Sequence, residues 1–419
     1  MKREGLKVCV TMTLIVLPLA MVAPAGRAEP QKSQPQAMAV ETLSDTLAEA
    51  VKSNPDIDVA KKKWEEEKAK IIPAGSLPDP EVGVEFWGKN ETWYDISQTI
   101  PFPVKLPLKA QAQFHEAKRQ EEFYKAEEKE IIQKVKVAYY AYFLAWRQIE
   151  VFEESVSFLK QFSVVTENKY SVNQTSQANV LKVQLEYYKT INMLETLKQE
   201  KEARAAELNA FLDRKPDSPL PKPLEPVLPT IDLDYASFEK IAFENRPELH
   251  AARHHVNHTD ADLAVAKADF IPDTMLQYSR RTFKDETPDD NIVMVKFNVP
   301  FLWFWRQGGM VEAAQKAKEG AQAELRSIEI MTRSELKGLI VKTGNLRRLV
   351  ELYRTSTLPQ AETMLNISLK SYEAGTEGFV DVIDSERSWL GYQLEYYQAL
   401  SEYWSYLTSL ERLVGKDLS

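Results

Sequence analysis

The chain runs through one plan twice. Residues 41–214 and 231–419 each hold a polar helical opening, a pair of short strands, a proline corner and two long helices joined by a tight turn. A period this long is no solenoid array but an internal duplication. The copies can be matched residue by residue. Asn54-Pro55-Asp56-Ile57 answers to Arg246-Pro247-Glu248-Leu249, and Pro80 to Pro272. Ile100-Pro101-Phe102 answers to Val299-Pro300-Phe301, and Tyr170-Ser171-Val172-Asn173 to Tyr372-Glu373-Ala374-Gly375. Residues 215–230 join the copies. Pro216, Pro219, Pro221, Pro223, Pro226 and Pro229 make that linker stiff and extended.

The helical hairpins are expected over about 104–213 and 304–416. After Pro107, no proline interrupts the first long helix, and Ile132, Val135, Tyr139, Tyr142, Trp146, Ile149, Phe152, Val156 and Leu159 recur at alternating threes and fours. Trp389, Tyr392, Tyr396, Ala399, Tyr403, Tyr406, Leu410 and Leu413 do the same near the C-terminus. That spacing is a seam for side-by-side helices. An ordinary coiled coil would satisfy it.

The strands ask for more than a coiled coil. Over about 81–100, Val82, Val84 and Phe86 alternate with Glu81, Gly83 and Glu85, then Tyr94, Ile96 and Ile100 with Asp95, Ser97 and Thr99. Over about 274–299, Leu276 and Tyr278 alternate with Gln277 and Ser279, then Val293, Val295, Phe297 and Val299 with Met294, Lys296 and Asn298. One apolar and one polar face suits a barrel with lipid outside and water inside. A soluble sheet packed on a core is the competing reading. Phe86, Trp87, Trp93, Tyr94, Phe283, Trp303, Phe304 and Trp305 gather near the strand ends, where rings favour a membrane interface. Four strands cannot close a barrel, so copies of the chain would have to join.

Residues 1–28 read as an export signal: basic Lys2, Arg3 and Lys7, an apolar run from Val8 to Val22, then small residues around Arg27. Cys9, the only cysteine, lies inside it without a lipidation motif, so disulfides and thiolate–metal chemistry are excluded. Residues 29–40 form a loose polar segment. The whole chain carries a formal charge of -9, and the signal contributes positive charge, so the exported part is more acidic still. That balance argues against nucleic acid. No nucleophile–base pair, phosphate loop or zinc signature is present, so neither catalysis nor a cofactor is expected. His250, His254 and His258 recur every four residues beside His255 and form a stripe that could take a divalent metal. A solvated polar face is the preferred reading, and no metal site is assigned.

On these residues the chain resembles the TolC-like outer membrane efflux proteins over nearly its whole length. Residues 372–384, Tyr-Glu-Ala-Gly-Thr-Glu-Gly-Phe-Val-Asp-Val-Ile-Asp, look like the family's second hairpin turn. Residues 170–181 look like the first, with Asn173 for the usual glycine and Asn179 for the usual aspartate. The resemblance implies a mainly helical protein with a small β part. It implies a homotrimer in the outer membrane, with four strands per protomer in a 12-stranded barrel and helical hairpins forming a periplasmic α-barrel. It implies a passive channel of a tripartite efflux or type I secretion system, working with a periplasmic adaptor and an inner-membrane pump. Asp381, Asp384, Tyr372 and Asn179 would form the periplasmic gate. Asn173, Gln174, Thr175, Gly375, Thr376 and Glu377 would meet the adaptor. A soluble periplasmic coiled-coil adaptor is the alternative, and the sequence does not name the cargo.

Overall fold

A computed structural model describes residues 43–418 except 89, 230 and 285. The expected signal and loose N-terminal segment lie outside the described residues. The chain begins with α1 (Leu43–Ser53), α2 (Pro55–Ala69), α3 (Ile71–Ala74), β1 (Glu81–Trp87), β2 (Glu91–Ile100), α4 (Lys105–Ser171) and α5 (Gln177–Phe211). After the linker come α6 (Tyr235–Asn245), α7 (Pro247–Ala268), β3 (Thr274–Phe283), β4 (Asp290–Phe297), a 3₁₀ turn (Pro300–Trp303), α8 (Phe304–Leu352), a π turn (Tyr353–Thr357), α9 (Leu358–Ala374) and α10 (Phe379–Val414).

Pro55 and Pro247 each open a helix, where a missing N–H costs nothing. Asn54 caps α2 by accepting from the Asp56 N–H at 3.0 Å, and its amide reaches the Phe211 carbonyl at the end of α5. Arg246, in the matching place, makes no side-chain cap. Its guanidinium bonds Thr332 of α8 at 2.8 Å instead.

With 67 residues, α4 is about 100 Å long at 1.5 Å per residue. It runs from the sheet to the first hairpin turn. Near the sheet it packs on α2 and α7; further down it meets α1, α5 and α10. Most of its apolar stripe buries: Val135, Tyr139, Tyr142, Ile149, Phe152 and Leu159 are buried, whereas Ile132, Trp146 and Val156 are half-buried. From α10, Trp389, Tyr396, Ala399, Tyr403, Leu410 and Leu413 are buried, whereas Tyr406 is half-buried and Tyr392 is exposed. Tyr140 of α4 stacks on Trp404 with ring centroids 5.2 Å apart. Each fully buried side chain of this size contributes about 1.5–3 kcal/mol. One ion pair lies within this core: Lys136 Nζ sits 2.7 Å from Glu411. Gly415 closes α10 at φ +70°, where an added Cβ would lie 2.5 Å from the Asn245 carbonyl oxygen. Only glycine lets α10 end against α6 in this way.

The proline linker is strapped along α4 rather than hanging free. The Tyr142 hydroxyl donates to Leu220 O at 3.3 Å, and Arg147 pairs with Glu225 at 2.6 Å. The long arm from Phe304 to Ala374 is not one uniform helix. Pro359 has no N–H to donate and would crowd the carbonyl four residues earlier. The turn at 353–357 widens to π geometry just above it.

The four strands form one antiparallel sheet in the order β1-β2-β3-β4. Register places like with like. Val82 faces Ile96, Ile96 faces Tyr278, and Tyr278 faces Val293. The opposite face carries Asp95, Ser279, Gln277 and Lys296, joined by hydrogen bonds such as Gln277 to Asp95 at 3.1 Å. The apolar face is uncovered: Val82 is 77 % exposed, Phe86 78 % and Val293 73 %. No described helix is long and apolar enough to cross a membrane.

Candidate functional site

Two hairpin turns lie side by side at the end of the rods away from the sheet. In the first, Asn173 adopts φ +58°, and the Gln174 N–H returns to Lys169 O at 2.8 Å. In the second, Gly375 adopts φ +78°, and the Thr376 N–H returns to Ser371 O at 2.9 Å. The two turns are built alike. Asparagine fills the left-handed position in one because it tolerates that conformation better than other side chains do.

After each turn the next helix is capped from its own sequence. Ser176 accepts the Asn179 N–H at 3.3 Å, and the Asn179 amide donates to Thr175 Oγ1 at 3.0 Å. In α10, Asp381 accepts the Gly378 N–H at 3.0 Å. A carboxylate there also meets the positive end of the helix dipole. Asp384, one turn on, is exposed, with Arg387 3.9 Å away. Asp381 therefore holds the turn in shape and still presents its charge, and Asp384 projects from the same end.

Tyr372 lies elsewhere. It is buried among Leu159, Phe162, Val183, Phe379, Val382 and Ile383. Its ring lies 5.3 Å from that of Phe162, and its hydroxyl has no hydrogen-bond partner among the described residues. No hydrogen bond among those residues joins Asn179 to Tyr372, Asp381 or Asp384. Of the tip residues, Asn173, Gln174, Gly375 and Thr376 are exposed, while Thr175 and Glu377 are half-buried.

Residues not singled out in the sequence tie the turns together. Lys169 Nζ donates to Glu373 O at 3.1 Å, from the first turn to the second, and lies 5.2 Å from the Tyr372 ring centre. Arg387 of α10 bonds Glu186 of α5 at 3.0 Å. Beside it, the Glu386 carboxyl bonds the Ser155 hydroxyl of α4, and Ser385 meets Ser368 of α9 at 3.0 Å. The sequence did carry a signal for Glu386. It falls on the seam through Phe379, Val382 and Trp389, where a carboxylate is out of place.

The histidines gather near the sheet, far from the turns. His254 stacks against His115 of α4 at 6.0 Å between centroids. His250 reaches Glu244 O and His258 reaches Ala112 O, each at 2.9 Å. His258 also lies 3.2 Å from Asp262. Burial lowers the pKa of His115, His254 and His255. The stripe is thus a packed helix face, and no three His, Cys, Asp or Glu side chains among the described residues are arranged to hold a metal ion.

Residues 240–416 match the outer membrane efflux protein family. The cobalt-zinc-cadmium resistance protein CzcC of Cupriavidus metallidurans is 21 % identical over 396 residues, covering 90 % of each chain. Among solved structures, CusC superposes with a TM-score of 0.79 at 16 % identity, covering 92 % of this chain and 96 % of the other. VceC of Vibrio cholerae does so with 0.75 at 17 %, covering 90 % and 97 %. At these identities the structural matches establish the fold.

Proposed function

We propose that this chain is a TolC-like outer membrane efflux protein, three copies of which close one passive duct from the periplasm to the exterior; the family match over residues 240–416, the likeness to CzcC and the shared fold support the reading. The uncovered sheet carries the reading. β1 and β4 each have one edge without a strand partner among the described residues. The sheet's apolar face has nothing against it there. In water such a sheet is a liability; in lipid, with its edges paired to neighbouring copies, every backbone group is satisfied. Four strands from each copy make a closed 12-stranded wall.

The two helical copies, 41–214 and 231–419, then hang as rods into the periplasm. The turns at Asn173 and Gly375 form the closable end, where Asn173, Gln174, Thr175, Gly375, Thr376 and Glu377 meet the adaptor of an inner-membrane pump. Asp381 and Asp384 line the constriction as acidic rings, and Asn179 contributes beside them. Tyr372 acts from inside the bundle by fixing the turn on Phe162. Opening requires the hairpins to part, and the adaptor supplies the differential binding that favours the parted state. Rings of carboxylates favour cations. Together with the likeness to a cobalt-zinc-cadmium resistance protein, this points to divalent metal ions as cargo.

The test is conductance of the purified protein in planar bilayers, together with trimer migration on gels. We expect cation-preferring conductance that loses its preference in the Asp381→Ala/Asp384→Ala variant. A protein that leaves the cell with the soluble periplasm and never conducts would favour the adaptor reading instead.

A further inference from the structure

We propose that Glu386 is a proton-operated latch: its carboxyl keeps a proton while the hairpins lie together and releases it when they part. The proposal rests on reading the hairpin turns as a closable end. Three successive residues of α10 reach three different helices. Ser385 meets Ser368 of α9, Glu386 meets Ser155 of α4, and Arg387 meets Glu186 of α5. This knot lies just above the turn, two residues past Asp384. Any movement of α10 away from α4 must break its middle strand.

Glu386 is 1 % exposed. Its surroundings offer little to a charge. α4 supplies one hydroxyl, Ser155, and α9 supplies Ser368, which is already taken by Ser385. Phe158, Ala361, Trp389 and Leu390 form an apolar cluster on this stretch of the bundle. The charged groups that act on it are Glu186 and Lys189 of α5 and Arg387 of its own helix. Arg387 is already engaged by Glu186. A buried carboxylate with no cation of its own is costly, and the neutral acid is the cheaper form. Burial accordingly raises the pKa of this carboxyl, helped by the charge of Glu186 and opposed by Ser155, Arg387 and Lys189.

Parting the helices admits water and returns the group to an ordinary carboxylate, with a pKa of about 4.3. The sign follows. Below that value both states hold the proton, and the latch is indifferent to pH. Between it and the raised value, the open state releases a proton that the closed state keeps. Rising pH therefore favours opening, by about tenfold per pH unit per copy within that window.

The experiment is open probability of the full-length protein in planar bilayers from about pH 5 to about pH 9. The background carries Asp381→Asn and Asp384→Asn, so that the ring carboxylates do not titrate. Opening should rise with pH, and Glu386→Gln should flatten the curve at its closed end. A Glu386→Gln profile that tracks its parent overturns the proposal. Ser155→Ala removes the contact that ties α10 to α4 and holds the pKa down, so the channel should open more readily and its pH-dependent rise should extend to higher pH before levelling; a profile that matches the parent's counts against the latch. Infrared difference spectra of the parent against Glu386→Gln, taken across the same pH range, decide the proton independently of gating. The parent should show a protonated-carboxyl carbonyl band that Glu386→Gln lacks, and absence of that band refutes the proposal. If no variant conducts at any pH while the band is present, the gate reading fails and the protonated Glu386 stands.

Discussion

Replacing Arg387 by alanine should ease opening, by an amount the geometry bounds. Arg387 spans from α10 to α5, with its guanidinium 3.0 Å from Glu186 and 3.9 Å from Asp384. Its side chain is 55 % exposed and that of Glu186 18 % exposed, so the pair is screened on one side only. Ion pairs in such settings contribute about 0.2–1 kcal/mol. If the hairpins part in all three copies together, the closed state loses about 0.6–3 kcal/mol, roughly threefold to over a hundredfold in the closed-to-open ratio. The assay is single-channel open probability for the parent, Arg387→Ala, Glu186→Gln and the double variant. The two single effects should not add, because each removes the same bridge. High salt should open the parent more than the variants, since screening weakens only an intact pair. Additive single effects, or an Arg387→Ala channel as closed as its parent, would refute the idea that this bridge holds the hairpins together.

Three further outcomes follow from the packing. Val84→Arg puts a charge on the uncovered sheet face; if that face meets lipid, it should cost about 2–4 kcal/mol near the bilayer centre and lower trimer yield in membranes, read on unheated gels. Lys136→Ala should destabilise by about 3–5 kcal/mol, because it leaves Glu411 buried without its cation, and denaturant unfolding followed by circular dichroism measures this. Burial holds His115, His254 and His255 below the usual histidine pKa. Their contribution is whole above about pH 6.5 and is lost as pH falls toward the lowered folded values. The thermal midpoint should therefore drop between about pH 7 and about pH 5, and drop less in His254→Phe.

What could be read from the sequence was what depends on local period. Val82, Ile96, Tyr278 and Val293 share one sheet face because alternation alone assigns each to it. The left-handed positions at Asn173 and Gly375 were legible because few residues tolerate them. What escaped was pairing across long separations. His254 is stacked on His115, and the histidine stripe is a packed face for that reason. Lys169, Glu186 and Ser155 look like ordinary helix residues until the second hairpin is laid against them. Tyr372 matched a family position, yet its place inside the bundle depends on Phe162, over two hundred residues earlier in the chain.

The wide turn at Tyr353–Thr357 has a consequence for inheritance. A π turn accommodates one residue more than an α turn, and each residue advances a helix by about 100°. Everything below it, including Leu365 and Ser368, faces the bundle only because that extra residue is counted in. Loss of one codon between 353 and 357 would spin the lower arm by more than a quarter of a revolution and aim its seam at water. Loss of a codon in an exposed loop would pass almost unnoticed.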